Sequence, residues 1–545
     1  MLKDIKILIL SFVALFFIAF QSANDYFEIS KNIEIFGAVY KTVNRDYVDE
    51  PKPGELMKVG IDAMLASLDP YTNYYTESQA EDAMIMRSGE YGGIGSRSIK
   101  REDYIYISDI FKGLAADKAG LKIGDKIVEI NGKNFKGKSS DEVGNALKGA
   151  PNTKANLVVE RNGQMVNIEI NREEIKLKNV TYFGLADSET GYIRLDHFMM
   201  GAGQEVKDAL IKLKAQGIKQ VILDLRDNGG GLLHEAVNIV NVFIGSGEMV
   251  VYSDGRVMDA KKTYKTLDPA TDANIPLVVL VNGRSASASE IVSGAIQDFD
   301  RGVVIGQKTF GKGLVQNVKP LIYRTQMKVT IAKYYIPSGR CIQELDYSNK
   351  GKDGKATILA DSLKKKFKTR NGREVLDGGG VMPDIAMPVQ KTSSIVQLLD
   401  RSYLIFDFAS KYHAEHAQIG DMKNFMLTDK DYEDFKAYVK TTQFSQKNET
   451  ETQLQKLIET AEKAEYASSL KDDFEKMKNT INTLKLQEMD QHKTEILQAL
   501  RLEISRRYYY EEALFLNSFQ NDPVVLKSFD IFKNKTDYQT LLGKK

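Results

Sequence analysis

The spacing of apolar residues divides the chain into segments with different periods. Between residues 24 and 87, apolar side chains recur every three or four positions on both sides of a break at Pro51–Gly54, which predicts helices. In residues 88–172 short runs alternate apolar and polar positions and predict strands. Residues 173–390 alternate predicted strands with predicted helices, and residues 391–545 are charged and helical. The pattern therefore predicts a multidomain protein with an α/β core.

Three closely spaced serines lie at the centre of the α/β segment. The apolar run from Ile275 to Val281 predicts a buried strand, and the periodic residues from Ile291 to Phe299 predict a helix. Ser285, Ser287 and Ser289 occupy the turn between them. A strand-to-helix turn exposes a side chain and directs backbone N–H groups toward one point, as acyl transfer requires. This turn is therefore a candidate nucleophile site.

Ser287 also has a purely structural interpretation. Glu290 follows it by three residues, the spacing of a capping box, so Ser287 could serve only as the N-cap of the predicted helix. Among the five histidines, His234 falls on the polar stripe of a predicted helix and fits a solvated residue better than a general base. The local pattern leaves the nucleophile and the cap as alternatives.

A glycine turn in the same segment supplies further backbone donors. The run Gln220–Leu225 predicts a strand, and Leu232–Ile244 predicts a helix. Gly229, Gly230 and Gly231 lie between them, so their N–H groups could form an anion-binding nest at the start of the helix. The alternative is a tight connection without chemistry.

A lysine between two glycines is the third feature of this segment. Residues 306–313 match the start of a phosphate-binding loop, but Gly313 stands where Ser or Thr would hold Mg²⁺. The next residues predict a strand rather than a helix, which argues against nucleotide binding. Lys312 and Gln316 share strand parity, so we expect both side chains to point to the same side.

The segment of alternating strands resembles the PDZ family. Residues 113–132 combine a short helix, a Gly-Asp turn, a strand and an Asn-Gly hairpin in the order typical of that family. PDZ-like domains add a peptide as an extra strand and hold its terminal carboxylate on backbone N–H groups. By this resemblance Gly93, Ile94 and Gly95 form the carboxylate loop, and the alternative is a structural turn.

From about residue 30 to residue 390 the chain resembles the carboxyl-terminal processing peptidases, also called tail-specific proteases. The motifs that carry this resemblance are Leu68-Asp69-Pro70, the PDZ-like segment, Asp224 through Gly231, Ser285 through Glu290, Thr309 through Gly313 with Gln316, Tyr335 through Arg340, and Gly378 through Asp384. The family places a serine and a lysine 25 residues apart, which fits Ser287 and Lys312 but neither Ser285 nor Ser289.

The resemblance implies roles for five residues. Ser287 is the expected nucleophile, Lys312 its general base, and Gln316 the residue that orients the lysine. The N–H groups of Gly230 and Ala288 are the expected oxyanion hole. A lysine can act as a base where burial lowers its pKa, because desolvation disfavours the ammonium form.

The family also implies a fold, and the chain departs from the family at two places. The implied fold is a crotonase-like α/β protease core with the PDZ domain inserted as a substrate gate. Tyr71-Thr72 replace a His-Ser pair in a structural segment. Asn228 is followed by Gly229 where proline is common, so Gly229 stays open as an alternative to Gly230 in the oxyanion hole.

Residues 1–23 have the pattern of a targeting segment. Lys3 and Lys6 precede an apolar run from Ile7 to Phe20, which is short for a membrane span and fits a signal peptide. Ala23 is a small residue at the predicted cleavage site. A signal peptide and an uncleaved membrane anchor are both open, and each predicts export to the periplasm or cell envelope.

Composition narrows the function classes further. The 545 residues carry 75 Lys and Arg against 74 Asp and Glu, so no basic field points to nucleic acid. Cys341 is the only cysteine, which excludes an internal disulfide and a cysteine-based metal site. His413 and His416 are three residues apart without a third ligand in view, and no metal or organic cofactor is implied.

Together these observations predict an exported serine endopeptidase. Its PDZ domain would bind protein C-terminal tails with apolar end residues and gate their cleavage by the Ser/Lys pair. The C-terminal helices share an apolar stripe that includes Leu454, Phe474, Met477 and Leu484, and we expect them to pack on the core or on a second subunit. The alternative class is a non-catalytic PDZ scaffold of the cell envelope.

Overall fold

The computed structural model describes residues 26–351, 354–422, 424–442, 444 and 446–544. The predicted signal peptide or anchor at residues 1–23 lies outside the described residues. Within the described part, no helix is long and apolar enough to cross a bilayer. The chain divides into two compact units, and residues 316–330 join the residues up to Ala80 in the first of them.

The first unit combines helices with one edge of a sheet. It contains helix α1 (26–46), helix α2 (Pro53–Ala66), strand β1 (Asn73–Tyr75), the start of helix α3 (Glu77–Ser88), and parts of strands β17 (Leu314–Pro320) and β18 (Gln326–Tyr335). Strand β1 pairs antiparallel with β18, with Tyr74 opposite Met327. The helices predicted for residues 24–87 are confirmed, but the periodicity missed β1 because it has only three residues.

The PDZ-like segment is a small sheet closed by two short helices. Its elements are β2 (Glu90–Gly93), β3 (Ser96–Arg101), β4 (Tyr104–Ile110), α4 (Ala115–Lys118), β5 (Lys126–Ile130), β6 (Lys133–Asn134), α5 (Ser140–Leu147), β7 (Lys154–Arg161), β8 (Gln164–Asn171) and β9 (Glu173–Lys176). The strand order is β3-β4-β5-β7-β8, with β6 beside β5 and with β2 paired to β9. The predicted order of helix, turn, strand and hairpin is confirmed.

The α/β core is built on a six-stranded sheet in the order β10-β11-β12-β15-β16-β23, parallel from β11 onward. Its elements are β10 (Val180–Leu185), β11 (Thr190–Leu195), α6 (Ala202–Ala215), β12 (Gln220–Asp224), α7 (Leu233–Phe243), β13 (Met249–Asp254), β14 (Lys262–Lys265), β15 (Leu277–Val281), α8 (Ala288–Asp298), β16 (Val303–Gly306), the remaining parts of β17 and β18, β19 (Leu345–Lys350), β20 (Ala356–Ile358), β21 (Lys366–Lys368), β22 (Glu374–Leu376) and β23 (Ile385–Ala386). Every residue of β15 is buried, as its unbroken apolar run predicts.

The described residues of the C-terminal region form nine helices. They are α9 (Ser394–Arg401), α10 (Leu404–Glu415), α11 (Asp429–Thr442), α12 (Glu449–Lys463), α13 (Lys471–Gln491), α14 (Lys493–Tyr509), α15 (Glu512–Asn521), α16 (Pro523–Lys533) and α17 (Lys535–Leu541). Leu454 and Phe474 pack together between α12 and α13. Met477 and Leu484 on α13 are exposed and do not join this packing, because they lie about 60–80° around the helix from Phe474.

The last three helices cover one face of the core sheet. Helices α6–α8 pack against the other face, where Val221, Leu223 and Val279 are buried. Alternate residues of the same strands contact α15–α17, and this second cluster contains Ile222, Val278, Leu280, Val303, Ile305, Phe519, Val525, Phe532 and Tyr538. Of the two predicted packing partners for the C-terminal helices, the core is therefore the one that α15–α17 contact.

The C-terminal helices also contact the PDZ-like segment. Arg101 on β3 makes a bidentate ion pair with Asp407 on α10, at 2.6 and 2.7 Å. The hydroxyl of Tyr510 donates to the carboxylate of Asp117 at 2.6 Å. Such bidentate and charge-assisted bonds fix geometry more tightly than simple ion pairs. The PDZ-like segment is thus held from one side by helices outside the α/β core.

Candidate active site

Ser287 lies on the turn between β15 and α8, where the sequence predicted it. It is the residue before the first helical residue of α8, and its backbone has φ 57° and ψ −113°. This conformation is rare for a residue with a side chain and persists only where the surroundings enforce it. Its side chain is half-buried. Strain of this kind at a strand-to-helix turn is typical of an exposed nucleophile.

The two neighbouring serines have structural roles. The hydroxyl of Ser285 donates to the carbonyl oxygen of Leu225 at 2.8 Å, and that of Ser289 donates to the carbonyl oxygen of Asn228 at 2.8 Å. Both side chains are fully buried. Their hydroxyls bind the turn of residues 285–289, the nucleophile turn, to the glycine turn, which leaves Ser287 as the accessible serine of the three.

Glu290 connects the turn of Ser287 with the loop of Lys312. Its Oε2 accepts hydrogen bonds from the N–H groups of Ser287 (2.8 Å) and Lys312 (2.9 Å). Its Oε1 accepts from the N–H of Gly311 (2.7 Å) and from the hydroxyl of Thr309 (2.6 Å). Burial raises the pKa of the Glu290 carboxyl, while these donors act in the opposite direction. The spacing predicted a cap, and the carboxylate does bind the N–H of Ser287, but it also reaches the lysine loop.

Tyr334 makes a second connection between the same two residues. Its hydroxyl lies 2.7 Å from the carbonyl oxygen of Lys312 and 3.0 Å from that of Ser287, and its single proton is shared between these two acceptors. The side chain is 1% exposed. Burial, with Glu290 nearby, raises the pKa of Tyr334 well above its ordinary value, so the phenol keeps the proton that it donates.

The structure distinguishes the glycines of the neighbouring turn. Gly230 has φ 94°, and a Cβ there would lie 2.8 Å from both the Ser287 Cβ and the Ala288 nitrogen. A Cβ on Gly229 would meet open space. Ala288 begins α8, and the first N–H groups of a helix have no partner within the helix. Gly230 and Ala288 therefore lie together beside Ser287, and the N–H of Gly230 donates to Asn228 Oδ1 at 2.9 Å.

A buried carboxylate anchors the start of the glycine turn. Asp224 is fully buried and accepts from the guanidinium of Arg226, from the hydroxyl of Tyr192 at 2.6 Å, and from Arg194 at 3.1 Å. Burial alone would raise the pKa of Asp224, but the adjacent Arg226 and Arg194 hold it well below its usual range. The ionised carboxylate thus fixes Arg226 four residues before Gly230.

Gln316 lies in the first compact unit, on β17. Its side-chain amide donates to the hydroxyl of Thr330 at 3.2 Å. Strand β17 begins at Leu314, so Lys312 lies in the preceding loop and the expectation that the two residues share strand parity is wrong. The role predicted for Gln316 in orienting the lysine stays a prediction.

The predicted carboxylate loop of the PDZ-like segment connects β2 with β3. Gly93 belongs to β2 and pairs with Glu173, and the side chain of Ile94 is buried in the core of the segment. The carbonyl oxygens of Ile94 and Gly95 accept from the N–H groups of Ala116 (2.7 Å) and Phe111 (3.0 Å). These bonds fix the peptide planes of the loop, and its peptide-binding role stays a prediction.

Sequence reasoning missed most of the supporting residues. Glu290 was noticed only as a capping partner, and Tyr334, Asp224 and Arg226 received no role. The signals for Asp224 and Arg226 were present, because both flank the predicted strand end, where catalytic loops of α/β folds begin. Nothing local to Tyr334 indicates that its hydroxyl reaches the backbone of Ser287.

Comparisons with known proteins define the class of the protein. The model of peptidase family S41 matches residues 189–348, a span that contains Ser287 and Lys312. The PDZ domain model matches residues 83–160, and a model described as the C-terminal helical domain of a probable PDZ-protease matches residues 395–532. The chain thus contains segments similar to a PDZ domain, to the peptidases of family S41 and to the helical domain of PDZ-proteases, in that order.

Two relatives agree with these matches, and one solved structure shows a weaker similarity. A probable CtpA-like serine protease of Staphylococcus aureus (strain MRSA252) is 37% identical over 336 residues, which are 61% of this chain and 66% of that protein. A carboxy-terminal-processing protease of Bartonella bacilliformis is 35% identical over 319 residues, 57% of this chain and 73% of that protein. The solved photosystem II D1 C-terminal processing protease matches with 25% identity and a TM-score of 0.35, over 65% of this chain and 94% of that one. The chain belongs to the carboxyl-terminal processing peptidases of family S41.

Proposed function

We propose that the protein is an endopeptidase that binds the C-terminal tails of proteins on its PDZ domain and cuts them with Ser287 and Lys312. The observation that supports this most is the double connection between these two residues. Glu290 binds both of their N–H groups, and Tyr334 binds both of their carbonyl groups. Two residues 25 positions apart are thereby held in one fixed relationship, as a nucleophile and its base require.

In the proposed reaction, the hydroxyl oxygen of Ser287 attacks the carbonyl carbon of the scissile peptide bond. The neutral amine of Lys312 takes the hydroxyl proton and passes it to the leaving amine when the carbon–nitrogen bond breaks. Water then attacks the acyl-enzyme with the same lysine as base, and Ser287 leaves with the proton. The reaction requires no metal or organic cofactor.

The oxyanion of each tetrahedral intermediate would accept N–H bonds from Gly230 and Ala288. A Cβ on Gly230 would lie 2.8 Å from the Ala288 nitrogen, whereas one on Gly229 would meet open space, and this closeness supports Gly230 over Gly229 in the role. The N–H of Gly230 is bonded to the side chain of Asn228. The proposal therefore includes an exchange, in which the oxyanion takes the place of the Asn228 amide oxygen as acceptor.

Several finer parts of the proposal rest on the sequence. These are export, cleavage or retention of residues 1–23 as an anchor, orientation of Lys312 by Gln316, carboxylate binding by the loop of Gly93, Ile94 and Gly95, and the relation of the core to the crotonase-like fold. The domain boundaries and self-association through the C-terminal helices also stay predictions. The bonds from Arg101 to Asp407 and from Tyr510 to Asp117 link the PDZ-like segment to the C-terminal region, which supports a PDZ domain whose position is controlled.

The test is cleavage of a loosely folded protein with an apolar C-terminus by the chain from Asn24 onward. We expect the parent chain to cut and Ser287→Ala and Lys312→Ala to be inert although folded, with the fragments identified by mass spectrometry. Ser285→Ala is the matched control, because its hydroxyl bonds to Leu225 and it should keep activity in proportion to its folded fraction. Cleavage by Ser287→Ala would contradict the proposal, and tail binding without cleavage by the parent would favour the scaffold.

A further inference from the structure

The glycine turn beside Ser287 is supported from the far end of the chain. Arg226, at the start of this turn, donates from Nη2 to Asp224 at 2.5 Å and from Nη1 to Asp522 at 2.5 Å. Asp522 lies between α15 and α16, in the C-terminal region and 296 residues further along the chain. The guanidinium is therefore held between a carboxylate of the core and a carboxylate of the C-terminal helices.

The two oxygens of Asp522 have separate partners. Oδ1 accepts from the N–H groups of Val524 (2.9 Å) and Val525 (3.4 Å), so Asp522 is the N-cap of α16. Oδ2 accepts from Arg226. Helix α16 is itself fixed on the core sheet, because Val525 is buried in the cluster that covers that face. Asp522 thus fixes the position of the Arg226 guanidinium relative to α16.

The glycine turn also binds the nucleophile turn through several hydrogen bonds. The N–H of Ala286 donates to the carbonyl oxygen of Asn228 at 3.0 Å, and the N–H of Asp227 donates to Asn282 Oδ1 at 3.0 Å. Asp227 has a left-handed backbone, φ 63°, so the chain reverses sharply directly after Arg226. A displacement at Arg226 therefore reaches Gly230 within four residues.

We propose that Asp522 is a positioning residue for the oxyanion hole, through which the C-terminal helices hold Arg226 and with it the N–H of Gly230. This inference rests on the proposed function, because it assigns Asp522 to the same reaction. Asp522 touches no reacting atom and acts only through Arg226. A small misplacement of a donor that binds the transition state lowers kcat while leaving substrate affinity unchanged.

A purely structural role as a helix cap makes a different prediction from the proposal. Asn is as good an N-cap as Asp but carries no charge for Arg226, so Asp522→Asn keeps the cap and loses the ion pair. Asp522→Glu keeps the charge on a longer side chain and is the weaker cap. The positioning role predicts that Glu preserves more activity than Asn, and the capping role predicts the reverse order for stability and activity together.

The experiment measures kcat and KM for peptide cleavage together with the melting temperature for the parent, Asp522→Asn, Asp522→Glu and Asn534→Ala. Asn534 is the matched control, because it caps α17 by accepting from the N–H of Asp537 and does not touch Arg226. We expect Asp522→Asn to lower kcat by about tenfold or more, with KM and melting temperature near the parent values. Asn534→Ala should lower the melting temperature and keep kcat.

The outcomes distinguish a failure of the positioning role from a failure of the proposed function. An active parent and an Asp522→Asn variant with unchanged kcat would overturn the positioning role alone. The positioning role would also be overturned if kcat fell only in proportion to the loss of folded protein. It would be overturned as well if Asp522→Glu lost more kcat than Asp522→Asn. A folded parent that does not cleave would overturn the proposed function and the positioning role with it.

Discussion

Ser287 and Lys312 donate their backbone N–H groups to the same oxygen atom. The acceptor is Glu290 Oε2, at 2.8 Å from the nitrogen of Ser287 and 2.9 Å from that of Lys312. Because the carboxylate is fully buried, these charge-assisted bonds are stronger than they would be in water. The backbone relationship of the proposed nucleophile and base is therefore set by one buried side chain, and this can be tested.

Glu290→Gln should lower activity more than stability explains. The carboxylate accepts four hydrogen bonds, and an amide would direct its NH₂ group at two of those donors. We expect a loss of about 1–3 kcal/mol in the free energy of unfolding and a fall of about 100-fold in kcat. Denaturant unfolding and peptide cleavage measure the two quantities.

Glu235→Gln provides the control for that measurement. Glu235 is also buried and accepts from the backbone N–H groups of Gly201 (3.1 Å) and Gly203 (2.8 Å), but it touches neither Ser287 nor Lys312. It should lose stability while kcat per folded molecule is retained. Equal losses of kcat in both variants would argue against a specific role for Glu290.

Tyr334→Phe should remove the second connection and leave the ring packing intact. The lost hydroxyl lies between the carbonyl oxygens of Lys312 and Ser287, so the two loops should move apart and kcat should fall by about tenfold or more. Tyr538→Phe is the control, since that hydroxyl binds the backbone of Leu277 on the opposite side of the sheet. Cleavage kinetics with unchanged KM would agree with this prediction, and a fall in kcat shared by Tyr538→Phe would not.

Gly230→Ala should inactivate the protein, whereas Gly229→Ala should be tolerated. An added Cβ at residue 230 would have to fit within 2.8 Å of Ser287 and Ala288 at a positive φ, but at residue 229 it would meet open space. Loss of one oxyanion donor costs about 100- to 1,000-fold in kcat. If Gly229→Ala is the inactive variant, the assignment of the donor shifts by one residue.

Asp224 should contribute stability that depends on pH. Its pKa is lower in the folded protein than the ordinary value near 4, so its contribution is present above about pH 4 and is lost as pH falls further. At pH 7 Asp224→Asn should cost about 3–5 kcal/mol, because it leaves Arg194 and Arg226 facing a neutral group. Denaturant unfolding at pH 7 and pH 3 should show the difference from the parent shrinking at pH 3, and a constant difference would contradict this.

The C-terminal helices should be required for folding of the core. Phe532→Ala should cost about 3–5 kcal/mol, because this side chain fills the layer between α16 and the sheet. Met477→Ala on the exposed face of α13 should stay within about 0.5 kcal/mol of the parent. Thermal or denaturant unfolding checks both, and a chain ending at residue 390 should not yield a folded core. Normal stability of that shortened chain would contradict a requirement for helices α15–α17.

The sequence predicted the elements of the core well, because each has a strong local signal. The apolar run before Ser287 and the glycines after Asp224 are contiguous patterns, and they place the strand, the turn and the helix. The unbroken apolar run of β15 is typical of a strand that is buried on both faces. The sequence could not show that Phe519 and Phe532 cover one of these faces, because no local period links residues more than 200 positions apart.

Only those residues of the candidate site that belong to a motif of fixed spacing were predicted from the sequence. Ser287 and Lys312 are recognisable by a fixed interval, whereas the contacts of Tyr334 and Asp522 depend on how distant segments pack. The parity argument for Lys312 and Gln316 failed because a loop with two glycines precedes the strand. Residues that are close in sequence leave a readable motif, whereas contacts between distant residues leave none.

The most direct test of Ser287 as nucleophile and Lys312 as its base is covalent labelling by a fluorophosphonate, which reacts with activated serines. The site and the rate of labelling are measured. We expect peptide mass spectrometry to find the label on Ser287, and we expect Lys312→Ala to lower the labelling rate by about 100-fold or more while the protein stays folded. Label on Ser285 or Ser289, or labelling of Lys312→Ala at the rate of the parent chain, would contradict it.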